Sequence, residues 1–271
     1  MDDLTDLIAD WPVDNAAVGV VNADGVLGLG GDGDLQLRTA SVSKLFVGLA
    51  ALIALEEGTI KLDENAGPNG STVRHLLSHT AGYGFDTDDL SAEPGKRRIY
   101  SNVGIEVSAS HLADKAAMPF EEYLRLAVLE PLGLSATALQ GSPAHDIHST
   151  VNDLVIFARE LLSPTLVAPA TMEEATTVQF PGLRGTVPGI GSFDPNPWGL
   201  TFEIRDDKNP HWTGEKNHPD TFGHFGGSGS FLWVDPQAGI AAASLSDRGF
   251  SDWALEVWPR FSDEVLARYS R

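Results

Sequence analysis

Ser41-Val42-Ser43-Lys44-Leu45-Phe46-Val47-Gly48-Leu49-Ala50-Ala51-Leu52-Ile53-Ala54-Leu55-Glu56-Glu57-Gly58 is the stretch on which the reading of this chain turns. The pattern predicts a helix from Ser41 to Glu57, stopped by Gly58. Between Leu45 and Leu55 it is apolar on nearly every side, so the helix belongs inside a domain and not on its surface. The same run is far too short to cross a bilayer.

Outward from this helix, the two ends of the chain read as sheet and the middle as helix. Ala16 to Asn22 is apolar and β-branched, Ala23-Asp24-Gly25 is a turn, and Val26 to Leu29 resumes, which predicts two antiparallel strands. A Gly/Asp-rich segment, Gly28 to Asp34, precedes a short strand near Leu35 to Leu37. Residues 2–10 read as a short helix. Beyond the core helix, helices are expected from a Ser71 or Thr72 cap through His79, over Asn102–Met118, Phe120–Leu129, Thr150–Leu162 and Pro169–Thr177, and at 251–269. Thr150-x-x-Asp153 is a capping signature. Segments 59–70, 80–95 and 181–197 read as loop. Strands are expected at Gly199–Arg205, Gly229–Val234 and Gly239–Ser246. The economical fold is α/β (α+β): one antiparallel sheet built from N- and C-terminal strands, flanked by the first and last helices, with a helical subdomain inserted. The expected division is a single domain, 1–271, with a sheet subdomain at 1–58 and 198–271 and a helical subdomain at 59–197.

Composition narrows the function. The chain has 271 residues, with 18 Lys plus Arg against 38 Asp plus Glu, a formal charge of −20. Phosphate backbones are gripped by basic residues, so nucleic acid is an unexpected partner, and an anionic membrane face is disfavoured likewise. Hydrophobic residues make up 42%, enough for a sizeable core. With no cysteine, a disulfide, a thiolate metal site and a cysteine nucleophile are all excluded. The start, Met1-Asp2-Asp3-Leu4-Thr5-Asp6, lacks the basic and apolar run of an export signal, so a cytoplasmic location is expected.

Three motifs carry chemistry. Ser41 and Lys44 are three apart on one helical face. A serine needs a base to act as nucleophile, and a lysine serves if burial and the positive end of a helix lower its pKa. The Ser41 N–H, at the helix start, can point at a developing oxyanion. Tyr100-Ser101-Asn102 opens a later helix; a tyrosine whose pKa is lowered by a cation can shuttle a proton, and Asn102 offers both donor and acceptor. His224-Phe225-Gly226-Gly227-Ser228-Gly229 falls between expected strands. Its glycines would let a substrate lie against a strand edge, and Gly227 N–H would be a second oxyanion donor. Taken singly, the motifs also read as a serine cap with a surface lysine, a helix start capped by Ser101, and a glycine-rich hairpin turn.

Together and in this order, the motifs resemble the serine penicillin-recognising enzymes: class C β-lactamases, low-molecular-weight D-alanyl-D-alanine carboxypeptidases and related esterases. Thr72-Val73-Arg74-His75-Leu76-Leu77-Ser78-His79-Thr80-Ala81-Gly82 and Leu232-Trp233-Val234-Asp235-Pro236 are similar to that family as well, and the likeness covers roughly 16–247. The resemblance implies Ser41 as acylated nucleophile, Lys44 as its base and Tyr100 as proton relay. It implies Asn102 orienting Lys44 or the substrate, His224 and Gly226 at the substrate, and the N–H groups of Ser41 and Gly227 as oxyanion hole. His224 stands where many relatives carry lysine, which weakens a fixed cation for a substrate carboxylate. The chain is also shorter than many class C relatives. The expected activity is therefore a serine hydrolase of a small ester, amide or peptide, esterase-like or D,D-peptidase-like, with a β-lactamase or a non-turnover binding protein as alternatives. No cofactor and no metal are expected.

Other patterns suggest chemistry of their own but lack its context. Gly28-Leu29-Gly30-Gly31-Asp32-Gly33 has dinucleotide-loop spacing but leads into an extended segment instead of a helix. His75/His79 and His145/His148 lack a third ligand, and His79 is placed to brace the loop beside the site. Trp212 and Phe225 lie near the third motif as candidate substrate contacts.

Overall fold

The computed structural model describes residues 1–270. In chain order the elements are β1 (Asp2–Asp3), β2 (Ala16–Asn22), β3 (Gly25–Gly31), β4 (Leu37–Arg38), α1 (Ser43–Glu56), α2 (Val73–Leu77), α3 (Asn102–Ala116), α4 (Phe120–Leu124), α5 (Glu130–Leu132), β5 (Ala138–Leu139), β6 (Ile147–Ser149), α6 (Val151–Leu162), α7 (Pro169–Thr176), β7 (Gly185–Val187), β8 (Gly191–Phe193), β9 (Glu203–Ile204), β10 (Phe222–Gly226), β11 (Ser230–Asp235), β12 (Ile240–Ser246) and α8 (Asp252–Tyr269). A 3₁₀ turn at Ala40–Val42 leads into α1, and a π-helical stretch, Arg125–Leu129, joins α4 to α5.

The main sheet has seven strands in the order β1-β3-β2-β12-β11-β10-β9, antiparallel except for β1 against β3. It is therefore assembled from the two ends of the chain, as expected. Alternation divides its side chains between two cores. Ala17, Val21, Leu232, Val234, Ala241 and Ala243 face one helical layer. Val18, Val20, Phe231, Trp233 and Ala242 face α8, which contributes Trp253, Val257, Trp258, Phe261 and Val265. With both faces covered, β11 and β12 read as nearly continuous apolar runs. On the first face α6 lies so close to β2 that a Cβ at Gly19 would collide with Val155. Helix α1 runs through this layer with every residue from Ser43 to Ala54 buried.

Several sequence expectations are corrected here. Residues 2–10 form no helix: Asp2 and Asp3 pair with β3, and only Thr5–Leu7 makes a 3₁₀ turn. Leu4 donates its N–H to Leu29 and is fully buried, while the Asp3 carboxylate takes the Thr5 N–H, a local bond that competes with a helical turn. The layer opposite α8 is instead supplied by α1 and α6 from within the chain. Only Glu203–Ile204 of the expected 199–205 strand is extended. Upstream, the N–H groups of Leu200 and Thr201 are taken by Ala175 and Leu77 carbonyls, and Thr201 has φ +70°. The 181–197 loop contains the β7–β8 hairpin. Phe222–Gly226 is a full strand, which Gly223 and Gly226 disguised as a turn. The Thr150 cap does form, its side chain accepting from Asp153 N–H. Gly28–Gly31 lies within β3 and leads to a turn and β4, not to a helix.

Candidate active site

The turn before α1 is clamped from two sides. Thr39 gives its N–H to Ile147 of β6, and its carbonyl accepts from Ser230 Oγ of β11 at 2.6 Å. Ser228 Oγ donates to the Arg38 carbonyl at 2.7 Å. Between these anchors Ala40 is held at φ +45°, a costly conformation for a residue with a Cβ. The strain falls on the residue before Ser41, which it sets, half-buried, at the lip of a cavity. Gly226 is part of the same clamp. A Cβ there would strike the Thr39 carbonyl and Ser230 Oγ, so its glycine is demanded by packing against the turn. Gly227, beyond the last β10–β11 pair, is exposed and lines the cavity.

Lys44 is completely buried. Its Nζ lies 3.2 Å from Ser41 Oγ, 2.6 Å from Asn102 Oδ1 and 2.9 Å from the Ala144 carbonyl. The last two partners can only accept, so they take two N–H bonds. In the neutral amine the remaining position is a lone pair directed at Ser41 Oγ. Burial lowers the Lys44 pKa to about 7 against the opposing pull of Asp86 and Glu106, so the base form is populated near neutrality.

Tyr100 stacks its ring beneath this amine, with Nζ 4.8 Å from the ring centroid. Its hydroxyl is buried and has no hydrogen-bond partner of good geometry. Here the expectation of a cation-lowered pKa is corrected. Burial dominates and raises it, and the nearby Ser41 side chain opposes the rise only in part. Tyr100 is therefore a phenol at working pH, able to pass a proton but not to rest as phenolate. His79 lies under it, ring centroids 4.6 Å apart, and accepts the Ser101 N–H on Nδ1, so it does brace the start of α3. Ser101 caps that helix by accepting from Gly104.

His224 projects from β10 on the face of β10 shared with Phe222, toward α1. Its Nδ1 donates to the Phe225 carbonyl at 2.6 Å, which leaves Nε2, buried and unpartnered, as a bare acceptor. Burial and the neighbouring Lys44 lower its pKa to about 3. It is neutral and supplies no cation. The cavity lined by Ser41, Tyr100, His224 and Gly227 measures about 110 Å³, and Phe85, Val187, Pro188, Trp198 and Phe225 form its remaining walls. Phe225 thus borders it, whereas Trp212 is buried away from it and donates to Glu203.

Ser41, Lys44, Tyr100, Asn102, His224 and Gly227 are accordingly brought together. The sequence did not disclose the Ala144 carbonyl, Asp86 on Asn102, or the Val187–Pro188 and Trp198 walls, because each arrives from a distant segment without a local pattern. Among the described residues no cluster of three or more His, Asp or Glu could hold a metal ion. Among them, too, no helix is long and apolar enough to cross a membrane.

Comparison with known proteins bears on the family and the fold. The sequence profile of the family described as Beta-lactamase matches residues 12–267. The crystal structure of a β-lactamase from Mycobacterium bovis is 50% identical, with a TM-score of 0.97, covering 98% of this chain and 99% of that one. A solved hydrolase with promiscuous acyltransferase activity shares the fold at 19% identity and a TM-score of 0.79 over 96% of each chain. Penicillin-binding protein 4* of Bacillus subtilis (strain 168) is 22% identical over 183 residues, 54% of this chain but 40% of that protein, so the match spans well under half of that relative's length. The chain belongs to the β-lactamase family, whose members are in general serine hydrolases.

Proposed function

We propose that this chain hydrolyses a small ester or amide through a covalent acyl-Ser41 intermediate, as an esterase or D,D-peptidase-like enzyme. One observation carries the reading: an amine with a pKa near neutrality is held at 3.2 Å from an alcohol placed by a strained residue, Ala40, just before it. Neutral Lys44 takes the Ser41 proton as Oγ attacks the carbonyl carbon. The Ser41 and Gly227 N–H groups receive the oxyanion. On collapse the leaving group takes a proton from Lys44, with the Tyr100 phenol as relay. Water then attacks the acyl carbon as its proton passes to Lys44, the acyl–Oγ bond breaks as the intermediate collapses, and Lys44 returns the proton to Ser41 Oγ, restoring both groups. His224 contacts substrate as a hydrogen-bond acceptor, while Asn102, with both ends of its amide engaged, orients Lys44.

Ser41→Ala should abolish release of p-nitrophenol from p-nitrophenyl butyrate with an unchanged far-UV spectrum. A fluorophosphonate should add one mass equivalent to the wild type and none to the variant. Undiminished turnover in Ser41→Ala would refute the assignment.

A β-lactamase is the second reading, favoured by the 50% identity to the Mycobacterium bovis protein of that name. Against it stands His224, neutral where a carboxylate-bearing antibiotic calls for a cation. Hydrolysis of a chromogenic cephalosporin at a rate rivalling the ester would decide for it.

A further inference from the structure

The loop Gly84–Asp86 is fastened to the start of α3 at three successive points. Ser101 Oγ donates to the Gly84 carbonyl at 2.7 Å, Asn102 N–H to the Phe85 carbonyl at 2.8 Å, and Asn102 Nδ2 to Asp86 Oδ1 at 2.7 Å. The other end of the same carboxamide, Oδ1, accepts from Lys44 Nζ. A carboxamide turned over keeps its shape, so its partners must decide which way it faces. A carboxylate only accepts. It draws the NH₂ outward and leaves the oxygen on Lys44. Reversed, the amide would set N–H against N–H at Lys44 and oxygen against oxygen at Asp86.

We propose that Asp86 is a positioning residue of this site: by accepting from Asn102 Nδ2 it fixes the amide oxygen on Lys44. The inference rests on the hydrolase reading above. Asp86 is exposed and does not border the cavity, so it acts through Asn102 and not on substrate. The groups facing Lys44 are few and can be named. Asp86 comes from the loop, Glu106 and Asn102 from α3, Tyr100 from the segment before it, His79 from the loop after α2, and His224 from β10. Burial keeps both imidazoles and the phenol neutral, which leaves the two carboxylates as the charges that favour the ammonium. Glu106 is further occupied in accepting from Ser142 Oγ.

The sign follows. Without the Asp86 charge Lys44 loses its proton more readily, so the free amine persists to lower pH. The acid limb of kcat/KM therefore moves down. With the full chain and p-nitrophenyl butyrate, Asp86→Asn, which keeps an acceptor, should hold the plateau within about 3-fold and move the limb down by about 0.5 pH. That movement should shrink in 0.5 M NaCl, since Asp86 is in solvent. Asp86→Ala should move the limb equally and lower the plateau by about 10-fold, because the amide has lost what orients it. A ¹³Cε titration of Lys44 in lysine-labelled protein should follow the limb in each variant, and it reads the amine whether or not the protein turns over ester. If Lys44 titrates in both variants as in the wild type, or if their only change is a plateau loss that tracks a fall in Tm, the proposal is overturned. Turnover persisting in Ser41→Ala would instead sink the hydrolase reading, leaving the Lys44 titration to judge Asp86 alone.

Discussion

Lys44 and Lys208 are both buried, and their company is opposite. Lys44 touches a carboxamide oxygen, a backbone carbonyl and a hydroxyl, and no carboxylate. Lys208 touches Glu203 Oε1 at 3.2 Å, together with the carbonyls of Pro197 and Ile204. Glu203 in turn accepts from Trp212 Nε1 at 2.8 Å and lies 3.2 Å from His211 Nε2. Burial lowers the pKa of each lysine, but at Lys208 the Glu203 charge works directly against it. Burial alone would raise the Glu203 carboxyl, yet Lys208 and His211 hold it well below the usual range. The two regions even share a wall, since the Lys208 amine lies 5.8 Å from the ring of Trp198, which lines the cavity. A buried lysine in contact with a carboxylate is half of an ion pair. One held by neutral dipoles is a base close to neutral pH.

The largest effect that tests this contrast is at Lys44. Lys44→Met should lower kcat for the ester by about 10²–10⁴, the range over which a positioned base contributes. Lys44→Arg should be as poor although it keeps the charge, because a guanidinium gives up no proton at working pH. An active Arg variant would show that charge, not basicity, is what the position supplies. The effect at Lys208 should fall on stability. Lys208→Met leaves Glu203 buried beside fewer positive partners and should cost about 3–5 kcal/mol in urea unfolding, with kcat of the folded protein within about 3-fold. Adding Glu203→Gln should recover part of that loss. If Lys208→Met instead retained its stability and lost its turnover, the two lysines would have to exchange roles.

How much of this was legible in the sequence differs between the same two regions. The Ser41–Lys44 pair could be read because the helical repeat alone brings residues three apart into contact, and because Leu45 to Leu55 announce burial. The Tyr100–Asn102 pair lay at a recognisable helix start. The Glu203–Lys208–His211 cluster was invisible: its members sit in a segment read as strand and in the irregular chain beyond it, and only the path over 199–213 folds them together. Asp86 and the Ala144 carbonyl were missed for the same reason, being tertiary partners of a motif and not members of one. That one sheet is built from both ends of the chain followed from the strands read at both termini. The strand that carries His224 did not, because Gly223 and Gly226 imitate a turn while serving close backbone approaches to β11 and Thr39. Where a residue's role is set by neighbours in sequence, pattern suffices; where it is set by neighbours in space, only coordinates disclose it.

The smallest effect belongs to His224 and separates it from Lys44 as a titrating group. Its Nδ1 proton is committed to the Phe225 carbonyl, and its pKa near 3 places protonation far below the working range. Lys44, with a pKa of about 7, loses the base form as pH falls, so kcat/KM should drop tenfold per pH below that value, with one acid limb and not two. His224→Gln keeps an acceptor in the cavity and removes the imidazole. The limb should stay within about 0.2 pH of the wild type, and the plateau for a neutral ester should change by no more than about 5-fold. Profiles from pH 4 to 9 for the two proteins settle the point. A second inflection present in the wild type and absent from His224→Gln would return the imidazole to the proton-transfer machinery. An unmoved limb leaves the buried amine as the titrating base.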